Sequence, residues 1–236
     1  MAMYEYTLDE QVAVLTMNET KFNIDSLKEF LSVLDQIEND TQAKALVVKS
    51  NDSKIWCNGI DLDWLLPHVQ KRDRDVTDVF SAKLNELLKR VLVYPMITVA
   101  AITGHAFAGG AIMACCFDFR FMRKDRGYLC FPEVDLGIPF MPSMTAMVRK
   151  ALPMDLVVNM QLTGRRVTAD ELEARHVIRK ACTLEELMGE AISFAKGLNK
   201  ERAIVAKLKN VLYKDILAVM EVDDPPAIKA LYDSGF

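Results

Sequence analysis

Residues 91–117 contain no Asp, Glu, Lys or Arg. An uncharged run of this length could span a bilayer, so its folding decides between a membrane segment and a buried core. Pro95 interrupts it early, and Thr103-Gly104-His105 and Gly109-Gly110 break it again. Pro and Gly at those places divide the run into short elements. These are the end of a helix, a strand over 97–102, a tight loop over 104–110 and a buried helix over 111–117.

The rest of the chain alternates in the same way. Apolar and polar residues alternate over 4–8 and 12–17 around Asp9-Glu10, which predicts a β-hairpin. Asp25 is placed to cap a helix carrying Leu27, Phe30, Leu31, Leu34 and Ile37 at helical spacing. A short buried strand is expected at 45–49, then a glycine turn at 57–61. The mixed-charge run Lys71-Arg72-Asp73-Arg74-Asp75 reads as a solvated loop or helix start, ahead of a helix over 76–93. Strands over 119–122 and 128–131 follow. Helices are then expected over 144–151, 155–161, 169–175, 184–198 and 202–219. Strands alternating with helices through the first two-thirds predict an α/β fold with a largely parallel sheet.

At 236 residues, with no linker or low-complexity tract, the chain fits one large domain. With 51% hydrophobic and 26% charged residues it is not an intrinsically disordered chain. Its 29 Lys and Arg against 33 Asp and Glu leave a formal charge of −4, with no basic excess to displace counterions from nucleic-acid phosphates. Five cysteines at irregular spacing read as reduced, buried thiols. The N-terminus lacks the basic and apolar regions of a signal peptide, and Asp233-Ser234-Gly235-Phe236 is neither a Ser-Lys-Leu address nor a lipidation box. The expectation is a cytoplasmic protein with neither a membrane nor a nucleic-acid partner.

Two glycine-containing loops each follow a predicted strand. Gly104-His105-Ala106-Phe107-Ala108-Gly109-Gly110 then opens a helix, where outward N–H groups and the helix N-terminus favour negative charge. It is neither a P-loop nor a dinucleotide fingerprint. Asn58-Gly59-Ile60 could supply a second N–H. Two convergent donors make an oxyanion hole, each worth roughly 2.7–4 kcal/mol to a developing oxyanion; either loop could equally be a plain turn. The third element, Phe131-Pro132-Glu133-Val134-Asp135-Leu136-Gly137-Ile138, holds a carboxylate among Phe131, Val134, Phe140 and Met141. Desolvation there would raise its pKa and make it a candidate base. Equally, Glu133 could cap a helix or pair with one of Arg123, Lys124 and Arg126.

The order of these elements resembles the crotonase (enoyl-CoA hydratase/isomerase) superfamily. The resemblance rests on Cys57-Asn58-Gly59-Ile60-Asp61-Leu62, on Gly104 through Gly110, on Pro132-Glu133 through Leu136-Gly137-Ile138, and on Leu162-Thr163-Gly164-Arg165. It covers about residues 12 to 209. The stretch from Phe121 to Gly127, running on into Glu133-Val134-Asp135, is especially similar to plant peroxisomal Δ3,Δ2-enoyl-CoA isomerases. The resemblance implies a spiral of ββα units over 1–191 with a C-terminal helical oligomerisation region over 192–236. It implies an acyl-CoA thioester held by the N–H groups of Ile60 and Gly109, with Glu133 as acid/base. Asn58, Gly59, Asp61, Leu62, Phe107, Gly110, Ile112, Pro132, Leu136 and Phe140 would surround the substrate, with Lys207, and with it Lys209, near the coenzyme A phosphates. Read from the residues alone, the two lysines sit on a solvated helix face. Coenzyme A is then part of the substrate, no cofactor is expected, and a homotrimer or dimer of trimers is implied.

One departure is informative. Crotonase hydratases carry a second glutamate just after the glycine loop, and that position here is Ile112. Hydration needs one group for the water and another for the α-carbon proton, whereas moving a double bond from C3 to C2 needs one base. The resemblance therefore implies a Δ3,Δ2-enoyl-CoA isomerase. The alternatives are another acyl-CoA enzyme on this scaffold (a hydratase, thioester hydrolase or decarboxylase) or a non-catalytic acyl-CoA-binding oligomer. Among other candidates, Cys57 has no histidine partner in sequence, and His105 is expected to pack within its loop. The Arg123–Arg126 cluster reads as an ion-paired turn in preference to a coenzyme A phosphate site, and the Met-rich stretch at Met141, Met144 and Met147 as flexible pocket or core.

Overall fold

In the computed structural model, which describes residues 2–235, the uncharged run divides as its glycines and proline require. The hairpin β1 (Tyr4–Asp9) and β2 (Val12–Met17) pairs Tyr4 with Met17 and turns through Glu10 at φ 55°. Then come β3 (Lys21–Phe22), α1 (Ile24–Asp40), β4 (Ala45–Ser50), β5 (Ile55–Cys57), β6 (Gly59–Ile60), α2 (Leu62–Gln70) and α3 (Arg74–Leu92). The uncharged run forms the end of α3, then β7 (Ile97–Ile102), β8 (His105–Phe107) and α4 (Gly109–Cys116). All eight residues of α4 are buried. Among the described residues no helix is long and apolar enough to cross a membrane.

The chain continues through β9 (Phe119–Arg123), β10 (Leu129–Cys130), α5 (Glu133–Leu136), α6 (Pro142–Ala151), α7 (Met154–Thr163) and α8 (Ala169–Ala174). It ends with β11 (Lys180–Cys182), α9 (Leu184–Leu198), α10 (Arg202–Leu212), α11 (Lys214–Val222) and α12 (Asp224–Ser234). Helix α9 runs unbroken across residues 191 and 192.

One sheet takes the order β1-β2-β4-β7-β9-β11, parallel except at the hairpin. Its middle strands are buried on both faces, as parallel sheets are. On one face Leu15, Leu46, Val48, Ala100 and Ile102 join the core with α1, α3 and α4. On the other, Val14, Val47, Val99 and Ala101 meet Leu187, Ala191 and Ala195 of α9. A second sheet has the order β10-β8-β5. Strands β4, β7 and β9 each pass through a short turn into β5, β8 and β10, and each small strand leads on to a helix. This is a spiral of ββα units, and it carries the two glycine loops and the Pro132-Glu133 segment to the same end of the molecule.

Three local expectations are corrected. Helix α1 is capped by Asn23, whose side chain accepts from the Ser26 amide while Ser26 Oγ accepts from the Asn23 amide; Asp25 lies in the first turn. The stretch 104–110 is not all loop, because β8 forms within it between β5 and β10. The helix expected over 202–219 breaks at Tyr213, and two more helices follow. The break turns the chain so that Tyr213 and Met220 reach the core, with Lys150 Nζ 4.9 Å over the Tyr213 ring.

Lys209 departs from the solvated face expected for it. It is 5% exposed, donates to the Met96 carbonyl at 2.9 Å and pairs with Asp118 at 2.6 Å. The same Asp118 oxygen accepts from Thr98 N and Oγ1, so the pair fastens α10 to the sheet. Lys207 is exposed.

Candidate active site

The two glycine loops meet backbone to backbone. Gly59 sits at φ 75°, and a Cβ built on it would lie 2.5 Å from the Gly109 nitrogen and 2.7 Å from that of Gly110. A Cβ on Gly110 would lie 2.2 Å from the Cys57 carbonyl oxygen. Only glycine permits this approach, and it makes the amides of Ile60 and Gly109 neighbours: a Gly109 Cβ would be 3.5 Å from the Ile60 nitrogen.

Gly109 is the first residue of α4, where an N–H has no acceptor within its own helix and faces the positive end of the helix dipole. On either side of the Gly59–Ile60 pair, the Asn58 and Asp61 amides donate to Thr20 and Phe22. Ala108, before Gly109, stands at φ 48°, ψ −128°, with its N–H on the Cys130 carbonyl at 3.0 Å. A non-glycine residue there costs on the order of 1–3 kcal/mol, and such strain persists only where the surroundings impose it. Nothing in the sequence marks Ala108 out.

The far end of α4 is equally fixed. Lys150 Nζ donates to the carbonyls of Cys115, Cys116 and Phe117, and Arg120 donates to those of Ala114 and Phe117. Two cations, the buried Arg120 and the half-buried Lys150, thus hold the negative end of the helix whose positive end meets Ile60. They lie 11 and 41 residues beyond Gly109 in sequence, and no spacing pattern announces them.

Glu133 opens the one-turn helix α5 and is 8% exposed. Burial pushes its carboxyl from 4.5 up to about 7, against a smaller downward pull from its own amide. Its Oε2 has no hydrogen-bond partner among the described residues. Arg123 of the basic cluster is engaged elsewhere: it pairs with Asp125 at 2.5 Å and donates to the Ser53 carbonyl at 2.8 Å.

A cavity of about 270 Å³ joins these parts. Ile60, Gly109 and Glu133 line it, together with Asn58, Leu62, Phe107, Ile112, Pro132, Leu136 and Phe140. Ile112 sits on α4 one turn beyond Gly109, 2% exposed. Gly59 and Gly110 stand behind the wall as contact points of the loops. Asp61 is the N-cap of α2 and pairs with Lys21 at 3.3 Å, while Lys207 lies on α10, outside the lining. Sequence reading missed the wall contributed by Phe80, Leu84 and Leu88 of α3 and by Ile228, Leu231 and Tyr232 of α12. The sequence places a helix over 76–93 but does not say what that helix faces. Met141 and Met144 line the cavity, and Met147 lies in the core.

Other candidates resolve simply. Burial pushes the Cys57 thiol up to about 12, which keeps it protonated and a poor nucleophile. His105 packs its ring between Tyr128 and Phe107, and burial followed by Arg126 and Arg166 lowers its pKa. Among the described residues no three His, Cys, Asp or Glu side chains gather as a metal would require.

Comparison with known proteins agrees with this architecture. The family profile described as "Enoyl-CoA hydratase/isomerase" matches residues 7–222. Enoyl-CoA delta isomerase 3 of Arabidopsis thaliana is 27% identical over 87% of this chain and 88% of its own length. Carnitinyl-CoA dehydratase of Escherichia coli is 30% identical over 89% of this chain and 76% of its own. Among solved structures, an enoyl-CoA hydratase/isomerase family protein from Pseudomonas syringae superposes with a TM-score of 0.85 at 24% identity, covering 97% of this chain and 98% of that one. An enoyl-CoA hydratase from Mycobacterium marinum does so with a TM-score of 0.83 at 20% identity, covering 98% and 99%.

Proposed function

The chain belongs to the enoyl-CoA hydratase/isomerase family, and from that premise we propose that it moves a double bond from C3 to C2 of an enoyl-CoA thioester. One observation carries the choice. Glu133 is the only carboxylate lining the cavity among the described residues, and the wall one turn into α4 is the hydrocarbon of Ile112.

The thioester oxygen lies between the N–H groups of Ile60 and Gly109, which stabilise negative charge as it develops. Glu133 removes a proton from C2, and the C2–H electron pair becomes part of a dienolate. The electrons of the C3–C4 double bond then take the same proton from Glu133 at C4, leaving a C2–C3 double bond and a regenerated carboxylate. A carboxyl poised near 7 suits a group that must both take and return a proton at neutral pH. Hydration would need a second group to activate water, and Ile112 supplies none. Coenzyme A enters as part of the substrate, and no step calls for a cofactor.

Offered 3-enoyl-CoA and crotonyl-CoA separately, with products followed by chromatography and mass spectrometry, the protein is expected to isomerise the first and leave the second unhydrated. Hydration of crotonyl-CoA at roughly 1–10³ per second, the range typical of enzymes, would overturn the isomerase reading in favour of hydratase chemistry. Hydrolysed or decarboxylated products would point to the other acyl-CoA reactions. Stabilisation by acyl-CoA without any turnover would identify a binding protein.

We also propose a homotrimer or dimer of trimers, with α10–α12 as its C-terminal helical region. Support comes from two apolar stripes, each at one helical face. Ile204, Leu208, Val211 and Leu212 on α10 are 55–71% exposed, and Met154, Val158 and Leu162 on α7 are 45–69% exposed. Two different patches suit the head-to-tail contacts of a ring, and so much exposed hydrocarbon is unusual on a monomer. Leu208→Asp is expected to shift the sedimenting species to a monomer. A wild-type protein that sediments as a monomer at micromolar concentration would refute the assembly.

A further inference from the structure

The cavity ends at a wall made by the last helix. Tyr232 of α12 is 7% exposed, and its hydroxyl shares a 2.8 Å hydrogen bond with Ser81 Oγ of α3. The ring is held from outside by the Arg74 guanidinium, 5.6 Å from its centroid, and Arg74 also pairs with Asp233. The other end of α12 is pinned by Asp224, fully buried, which accepts from Ser143 N at 3.0 Å, Ser143 Oγ at 2.5 Å and Asn85 Nδ2 at 3.3 Å. Helix α12 is therefore clamped at both ends across the end of the cavity that faces α3.

Beyond it lies a groove of about 480 Å³ bordered by Arg74, Asp78 and Lys229. Cavity and groove share Ser81, Asn85 and Ile228, so one layer of side chains separates them. On the inner side the approach to that layer is hydrocarbon, from Phe80, Leu84, Leu88, Ile228 and Leu231. Such a lining suits an alkyl chain and offers no cation to a phosphate.

We infer that Tyr232, held by Ser81, is the end wall of the acyl cavity and sets the longest acyl chain the protein accepts. This rests on the isomerase reading for the substrate class. With Tyr232→Ala the seam between α3 and α12 opens into the groove and longer chains pass through it. Ile228→Trp thickens the same seam and shortens the limit.

The test is kcat/KM across 3-enoyl-CoA substrates of increasing chain length. Each further buried methylene is worth roughly fourfold, so Tyr232→Ala should raise the long-to-short preference by roughly fifteenfold once two more methylenes fit. Ile228→Trp should lower it, and it carries the test if Tyr232→Ala does not fold. The wall is refuted if either folded variant changes all chain lengths by one factor, as a residue on the coenzyme A side would. It is also refuted if the wild type shows no length limit. Thermal stabilisation by saturated acyl-CoA of the same lengths reads the limit without the reaction. A wild type that binds with a length limit but turns over no 3-enoyl-CoA would sink the isomerase reading while upholding the wall.

Discussion

Glu133→Gln is expected to lower kcat by about 10²–10⁴-fold, the usual worth of a positioned acid/base, and to stabilise the fold above neutral pH. Both effects follow from one circumstance: the carboxyl sits in an apolar cavity with Oε2 unpartnered. Burial makes ionisation costly, raising its pKa from 4.5 to about 7. The folded state therefore holds this proton more tightly than the unfolded chain. Stability is full below 4.5 and is lost as pH rises through 7, by on the order of 3 kcal/mol for a shift of this size. The glutamine cannot ionise, so its melting temperature should match the wild type at low pH and exceed it at pH 8. The wild-type kcat/KM should rise with pH through about 7 as the base form appears. Near-wild-type isomerisation by the glutamine variant would show that the base had been misassigned. A variant inactive but no more stable at pH 8 would show that Glu133 is solvated or paired in solution.

What could be read in advance was whatever is written locally. Pro95, Gly104 and Gly109 cut the uncharged run into elements, and the structure places them within a few residues of expectation. The order of the glycine loops and the Pro132-Glu133 segment is likewise local, and so is the absence of a carboxylate at position 112. What remained hidden is set by contacts distant in sequence. Strand β8 is three residues in a glycine-rich stretch that looks like loop, and it exists because β5 and β10 flank it. Lys209 looks solvated on its own helix, and only the sheet beneath α10 supplies Asp118. The Ser81–Tyr232 bond spans 151 residues, so α3 shows an apolar stripe while nothing in its sequence says that the chain's last helix covers it. The backbone of Ala108 is hidden for another reason: its strain is imposed by neighbours and leaves no trace in composition.

Gly59→Ala should be the most damaging substitution that leaves every proposed chemical group in place, lowering kcat by about 10²–10³-fold, the loss typical when one oxyanion donor is displaced. Two causes combine. At φ 75° an alanine is strained, and its Cβ would lie 2.5 Å from the Gly109 nitrogen. The clash is with backbone on both sides, so no rotamer relieves it. Gly109 cannot yield easily, since Lys150 and Arg120 fix the far end of α4 and Gly110 is already packed against the Cys57 carbonyl. The loops must part, and the Ile60 and Gly109 N–H groups then no longer converge on one oxygen. A donor pair that acts on developing charge matters more to the transition state than to the bound thioester. KM should therefore change far less than kcat, and affinity for a planar dienolate-like inhibitor should fall in step with kcat. Circular dichroism separates this from unfolding: a folded Gly59→Ala protein with kcat within tenfold of wild type would mean that the contact between the loops is structural, and that the thioester oxygen is stabilised elsewhere.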